Sequence, residues 1–276
     1  MKYSFLTYLF CRYPLEYSFK MASAYGFDGI EIWGARPQAY AYDLDSREIA
    51  AINSMKRRYN VEISMYTPEI LAYPYNLAST LSKEREETKA YLRRALEVTA
   101  ELDAGRMLVT IPHSGFTTPL ATSWKWAAEG LRFLCDFAER LHVKIVLESL
   151  SPSESNLITT ADSVREMIRC VGSPALSAMM DIVPPTIANE PLALYLEPDD
   201  MGLDYIHITN SDAKTEFHAA FDEGVLPMKA VFSVLNRVGF DGWCSLELLN
   251  PYFKDPELYL ADSIMKIREY TGECRR

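Results

Sequence analysis

The chain has 276 residues, of which 49% are apolar and 24% charged, and 38 acidic side chains against 28 Lys and Arg give a net charge of −10. This is enough chain and enough apolar surface for a sizeable core, which excludes global disorder and allows one large α/β barrel or two small domains. An acidic surface repels phosphate backbones, so nucleic acid is excluded as the expected partner.

The first apolar stretch, 4–11, is too short for a signal peptide and runs into Arg12 and Pro14, so it reads as a first strand. No apolar run approaches the roughly 18 residues that span a membrane. Cys11, Cys135, Cys170, Cys244 and Cys274 are odd in number and never form a CxxC pair. That pattern argues for a reducing compartment and against a disulfide framework or a thiolate zinc site. A soluble, cytoplasmic protein is expected.

Further along, short β-branched or aromatic runs alternate with amphipathic stretches. The strands are expected at 3–10, 29–34, 61–68, 106–113, 144–150, 176–182, 205–210 and 244–249. Helical patterns lie at 46–59, 82–102, 123–141, 161–171, 228–238 and 257–270. Eight such strands in a chain of this length predict a single (β/α)8 TIM barrel, class α/β, over residues 1–276. A doubly wound dinucleotide fold would place GxGxxG after the first strand, and none is there. One corner occurs twice: Gly26-Phe27-Asp28-Gly29 leads into Ile30-Glu31-Ile32, and Gly239-Phe240-Asp241-Gly242 leads into Ser245-Leu246-Glu247. In each, Gly ends a helix in the left-handed conformation, Phe packs back on it, and Asp-Gly turns into the next strand.

Barrel active sites sit at the C-terminal ends of the strands. The fifth strand ends in Glu148, the sixth in Asp181, the seventh carries His207 and the eighth ends in Glu247. With a period of two, Leu147, Met180, Ile206 and Leu246 face the helices and the four polar residues point inward. Any one of these alone is ordinarily a capping or salt-bridged residue. Three converging carboxylates, however, are costly unless compensated, and a divalent cation supplies the compensation. Two Glu, one Asp and one His suit Mn²⁺, with Co²⁺ or Mg²⁺ as alternatives.

Candidate substrate contacts surround this quartet. Glu154 follows Glu148 by six residues, His113 ends the fourth strand, and His218 follows the seventh near Asp222-Glu223-Gly224. Trp33 and Glu31 end the second strand. The aromatic and Pro-rich tract 66–76, which contains Glu69, is expected to wall off a pocket. His142, at a helix end beside the dipole's negative pole, is read as structural.

These segments carry a resemblance. Gly29-Ile30-Glu31-Ile32-Trp33-Gly34, Tyr66-Thr67-Pro68-Glu69, Tyr73-Pro74-Tyr75-Asn76, Leu147-Glu148 with Pro152, Glu154, Ser155 and Asn156, and Asp181-Ile182 are similar to the xylose-isomerase-like barrels. Within that family they resemble the sugar epimerase and isomerase group that contains the ketose and ketosamine 3-epimerases. The resemblance implies that Glu148, Asp181, His207 and Glu247 hold the metal, that Glu148 and Glu247 also act as acid and base, and that Glu154 contacts the sugar. It also implies a homo-oligomer. Simple ketose epimerases carry a His three residues after the metal Asp and an Arg six after the metal His. Here Pro184 and Ala213 stand there, a loss that implies a bulkier substrate, and where relatives read Pro-Gly-Glu-Gly this chain reads Phe221-Asp222-Glu223-Gly224, so the relatives' rim contact is not carried over.

The chemistry follows from the residues. A proton on carbon beside a ketone is weakly acidic, so its removal requires stabilisation of an enediolate, which a cation across O2 and O3 provides. Two glutamates from different strands can then take the proton from one face and return it to the other. An aldose–ketose isomerase is the nearest rival, and a non-catalytic sugar-binding barrel is a rival of another class. A three-zinc endonuclease would need more than the four His of this chain. No Gly-rich phosphate turn follows the last two strands, which argues against a phosphorylated substrate.

Overall fold

The computed structural model describes residues 1–197 and 201–272. Cys274 lies outside them. Eight parallel strands form a ring: β1 (Lys2–Phe5), β2 (Gly29–Gly34), β3 (Glu62–Pro68), β4 (Arg106–Val109), β5 (Lys144–Leu147), β6 (Leu176–Ala178, resuming at Met180–Asp181), β7 (Tyr205–Ile208) and β8 (Trp243–Leu246). Neighbouring strands pair in sequence order from β2 to β7, β7 pairs with β8 and β8 with β1. A single parallel bridge between Leu6 and Glu31 closes the ring from β1 to β2. Because β6 breaks at Met179, its first piece pairs with β5 and its second with β7. The expected TIM barrel is present.

The helices are α1 (Leu15–Tyr25), α2 (Ser46–Tyr59), α3 (Ser82–Glu101), α4 (Leu120–Leu141), α5 (Ala161–Val171), α6 (Val183–Ile187), α7 (Met228–Arg237) and α8 (Pro256–Thr271). Local chemistry fixes several ends. Asp45 caps α2 and Thr160 caps α5, each in a reciprocal capping box. The twice-used corner forms as read: Gly26 and Gly239 have φ of 73° and 71°, and the amides of Phe27 and Phe240 bond back to Ala22 and Leu235. Asp28 adds a tie, accepting the Tyr3 amide at 2.8 Å. Among the described residues no helix is long and apolar enough to cross a membrane.

Alternation along the strands separates two cores. Met65, Leu108, Val146, Met179, Tyr205 and Trp243 form a buried cluster inside the barrel. Leu147, Met180, Ile206 and Leu246 belong instead to the large core between strands and helices. The predicted phase is therefore correct, and Glu148, Asp181, His207 and Glu247 each lie on the inward face.

Three readings need correction. The first strand stops at Phe5, and Thr7–Phe10 is a 3-10 helix. The Thr7 hydroxyl accepts the Trp33 amide at 3.0 Å, so a side chain takes over a bond that a longer strand would have made. Helix α1, whose end at Gly26 the repeated corner implied, was given no bounds in the sequence, and α6, which carries Pro184 and Pro185 in its first turn where proline has no helical N–H to lose, was not foreseen. Strand four ends at Val109, so His113 lies in the following loop rather than at the strand end.

Candidate active site

Glu148 is one residue past β5, Asp181 ends β6, His207 is third in β7 and Glu247 is one past β8. All four come together. Each offers one ligand atom, and these atoms lie within 4.8 Å of one another. His207 is 1% exposed, with Nδ1 3.2 Å from Glu148 Oε1 and 2.7 Å from Glu247 Oε2. Despite that proximity, neither His207 Nδ1 nor Glu247 Oε2 makes a hydrogen bond of acceptable geometry, although both are buried. Two buried polar atoms aimed at a common point without a bond between them fit a shared cation. Three carboxylates and one imidazole make an oxygen-rich donor set of the kind Mn²⁺, Co²⁺ or Mg²⁺ accepts.

The electrostatics of the cation-free site are polarised. Burial pushes the Glu148 carboxyl up to about 8. Burial also opposes charge on Glu247, but the His207 and His218 imidazoles outweigh it and hold that carboxyl well below the usual range. Burial favours a neutral His207, yet Glu247 and Glu31 prevail and its proton is held well above the usual histidine range.

Glu31 is fully buried beneath the quartet. His207 Nε2 lies 3.0 Å from both of its oxygens, and the Tyr205 hydroxyl donates to Oε2 at 3.0 Å. The sequence named Glu31 only as a lining of the mouth. Its position between Ile30 and Ile32, a charge on the inward phase of an apolar strand, was the same signal that marked Glu148, Asp181, His207 and Glu247.

The expected substrate contacts divide. A cleft of about 230 Å³ opens beside the quartet and is lined by Glu148, His207 and Glu247 together with Tyr8, Trp33 and Glu69. Trp33 Nε1 donates to Glu69 Oε2 at 2.8 Å, and Glu69 Oε1 accepts the Ala72 amide, so side chain and loop brace each other. Tyr8 packs edge-on against Trp33 and Phe253. Neither Tyr8 nor Phe253 was picked from the sequence. The tract 66–76 splits: residues 67–72 wall the cleft, whereas Tyr73 and Tyr75 pack against Tyr40 and Tyr91.

Glu154 and His113 do not line this cleft. They are tied to each other, the His113 amide donating to the Glu154 carbonyl at 2.7 Å. Burial and then Glu216 push the Glu154 carboxyl up to about 7. The His113 ring accepts the Gly115 amide on Nδ1 and packs on Phe116. His218 is closer to the chemistry than expected. A short antiparallel ladder, Asn210–Ser211 with His218–Ala219, returns it to the barrel. Its Nε2 lies 3.0 Å from Asp181 Oδ2 and 3.2 Å from Glu247 Oε2, while Nδ1 donates to the Glu216 carbonyl. His142 caps α4 in the left-handed conformation, a structural role.

Residues 19–270 match the family described as xylose isomerase-like TIM barrel. The chain belongs to that family. It is 35% identical over 262 residues to fructoselysine 3-epimerase of Escherichia coli O157:H7, covering 95% of each chain. At that similarity the chain is an isomerase-class enzyme, an epimerase. Among solved structures, D-psicose 3-epimerase with D-tagatose from Clostridium cellulolyticum H10 superposes with a TM-score of 0.80 at 18% identity, covering 99% of this chain and all of that one. The IOLI protein, solved with a binding zinc atom, gives 0.83 at 17% identity and 99% coverage of both chains. These two likenesses concern the fold.

Proposed function

We propose that this enzyme is a divalent-metal-dependent 3-epimerase of ketoses or ketosamines, acting on a fructoselysine-type substrate, with Mn²⁺ the best match to its ligands. The observation that carries this reading is the pair Glu148 and Glu247. They flank His207 Nδ1 from two different strands, one carboxyl biased to keep a proton and the other to lose it. Two carboxyls with environments that push them apart are the arrangement an acid–base pair requires. Similarity to fructoselysine 3-epimerase over nearly the whole chain supports the substrate class.

Glu148, Asp181, His207 and Glu247 would hold the cation, which when bound supplies Lewis-acid stabilisation of charge on the substrate's oxygens. The chain's own residues do the rest. In one direction ionised Glu247 takes the C3 proton from one face and protonated Glu148 delivers a proton to the other, inverting C3; in reverse the roles exchange. Trp33 and Glu69 are assigned to the cleft wall against the substrate. His218 is assigned to the face where it meets Asp181 and Glu247, in a chain that has Pro184 and Ala213 where simple ketose epimerases have His and Arg. Glu154 and His113 are assigned to the rim.

The test is proton exchange in D₂O. With fructoselysine and Mn²⁺, deuterium should enter at C3, followed by proton NMR. Label confined to C1 or C2 would instead identify an aldose–ketose isomerase, and binding with no exchange a non-catalytic barrel.

A further inference from the structure

We propose that Glu31 is a positioning residue that holds His207 in the tautomer carrying its proton on Nε2, so that the Nδ1 lone pair is presented to the cation. This rests on the reading that the quartet takes a divalent ion.

Glu31 stands on β2, across the barrel from the strands that supply the quartet, and is 0% exposed. A carboxylate so placed is tolerated only where donors satisfy it. Three do. The Thr67 hydroxyl donates to Oε1, the Tyr205 hydroxyl to Oε2 at 3.0 Å, and His207 Nε2 sits 3.0 Å from both oxygens. Tyr205 is itself fixed: with its own proton on Glu31, its hydroxyl oxygen accepts from Ser64 Oγ at 2.8 Å. The acceptor facing His207 is thus locked from β3 and β7 and cannot turn away.

The consequence for the ring is chemical. A neutral imidazole has one N–H and one lone pair, and the partner of one nitrogen decides the state of the other. Placing the lone pair on Nε2 would set it against two carboxylate oxygens, which have nothing to donate. The proton therefore belongs on Nε2. Nδ1, left as the lone-pair nitrogen, is the atom that points between Glu148 and Glu247 without a hydrogen bond. A negative group behind the ring also raises the basicity of the ligating nitrogen. Partners of this kind change metal affinity by about 10–100-fold when removed.

The role is separable from barrel closure, because the bridge between Leu6 and Glu31 uses backbone atoms that a side-chain change leaves in place. The experiment measures the Mn²⁺ dissociation constant by calorimetric titration of the whole chain for wild type, Glu31→Gln and Glu31→Ala, alongside the melting temperature of each metal-free protein. Glu31→Gln, which keeps the shape and loses the charge, is expected to weaken Mn²⁺ binding about 10–100-fold, with Glu31→Ala at least as weak, while metal-free Glu31→Gln melts no earlier than wild type. Selective ¹⁵N-histidine labelling of the Mg²⁺-loaded wild type should report His207 protonated on Nε2. A folded Glu31→Gln that binds Mn²⁺ within twofold of wild type, or a loaded His207 protonated on Nδ1, overturns the proposal. A wild-type protein that takes up no Mn²⁺ overturns the cation reading beneath it as well, so the two failures are told apart.

Discussion

The barrel interior has two floors one pleat apart, built from the same strands. On the lower floor Val146, Met179 and Tyr205 pack with Met65, Leu108 and Trp243. Two residues later the same strands present Glu148, Asp181 and His207, joined by Glu247 from β8. The lower floor is held by apolar contact and needs nothing from outside; the upper floor crowds carboxylates and imidazoles, the arrangement the proposed cation would compensate. Stability and chemistry are therefore placed on one scaffold in adjacent layers. Tyr205 joins them, its ring below and its hydroxyl reaching Glu31 above.

Substitutions can break that division. The largest effect belongs to the upper floor: Glu148→Gln or Glu247→Gln should lower kcat by about 10²–10⁴-fold without lowering the melting temperature. A variant that keeps most of its turnover removes that residue from the proton path. On the lower floor, Met179→Ala should cost about 2–5 kcal/mol of stability by denaturant unfolding and leave the Mn²⁺ stoichiometry unchanged. Loss of metal binding in a folded Met179→Ala would mean that the floors are not independent.

The pH dependence sharpens the contrast. Without a cation, burial holds the Glu148 proton up to about 8, against 4.5 for the ordinary group, and His207 also keeps its proton above its usual range. Ligation through Nδ1 needs the His207 proton gone, and the cation draws Glu148 toward its ionised form, so Mn²⁺ affinity should rise with pH toward about 8, by about tenfold per pH unit for each proton released, with the proton release visible as a buffer-dependent binding enthalpy. Between 4.5 and about 8 the folded metal-free protein binds the Glu148 proton that the unfolded chain has lost. Its stability should therefore fall as pH rises through that window, and Mn²⁺ should offset the fall. An affinity flat from pH 6 to 8 would show that these protons do not compete with the ion. The smallest effect lies outside both floors: Asp45→Ala removes the α2 cap and should cost about 1 kcal/mol, with metal binding and turnover unaltered.

Much of this was legible in the sequence, for identifiable reasons. The convergence of Glu148, Asp181, His207 and Glu247 was readable because each is a polar residue in an apolar strand on the inward phase, and one pleat separates the first three from Val146, Met179 and Tyr205. The corners at Gly26 and Gly239 were readable because a left-handed residue followed by Asp-Gly has few alternatives. The stretch from Leu6 to Phe10 was misread because buried residues on a 3-10 turn give a run as apolar as a strand, and the Thr7 bond to the Trp33 backbone is invisible from either segment alone. The same holds for His218, brought to Asp181 by a two-residue ladder too short to leave a period. Tyr8 and Phe253 meet across the mouth from segments some 245 residues apart, and no local pattern announces such a contact.

The most direct measurement is an anomalous-scattering map from crystals grown with Mn²⁺. A single peak enclosed by Glu148, Asp181, His207 and Glu247, with Glu31 behind the His207 ring, is the expected result. No peak there, or one held by other residues, would contradict the assignment of these four side chains as one metal site.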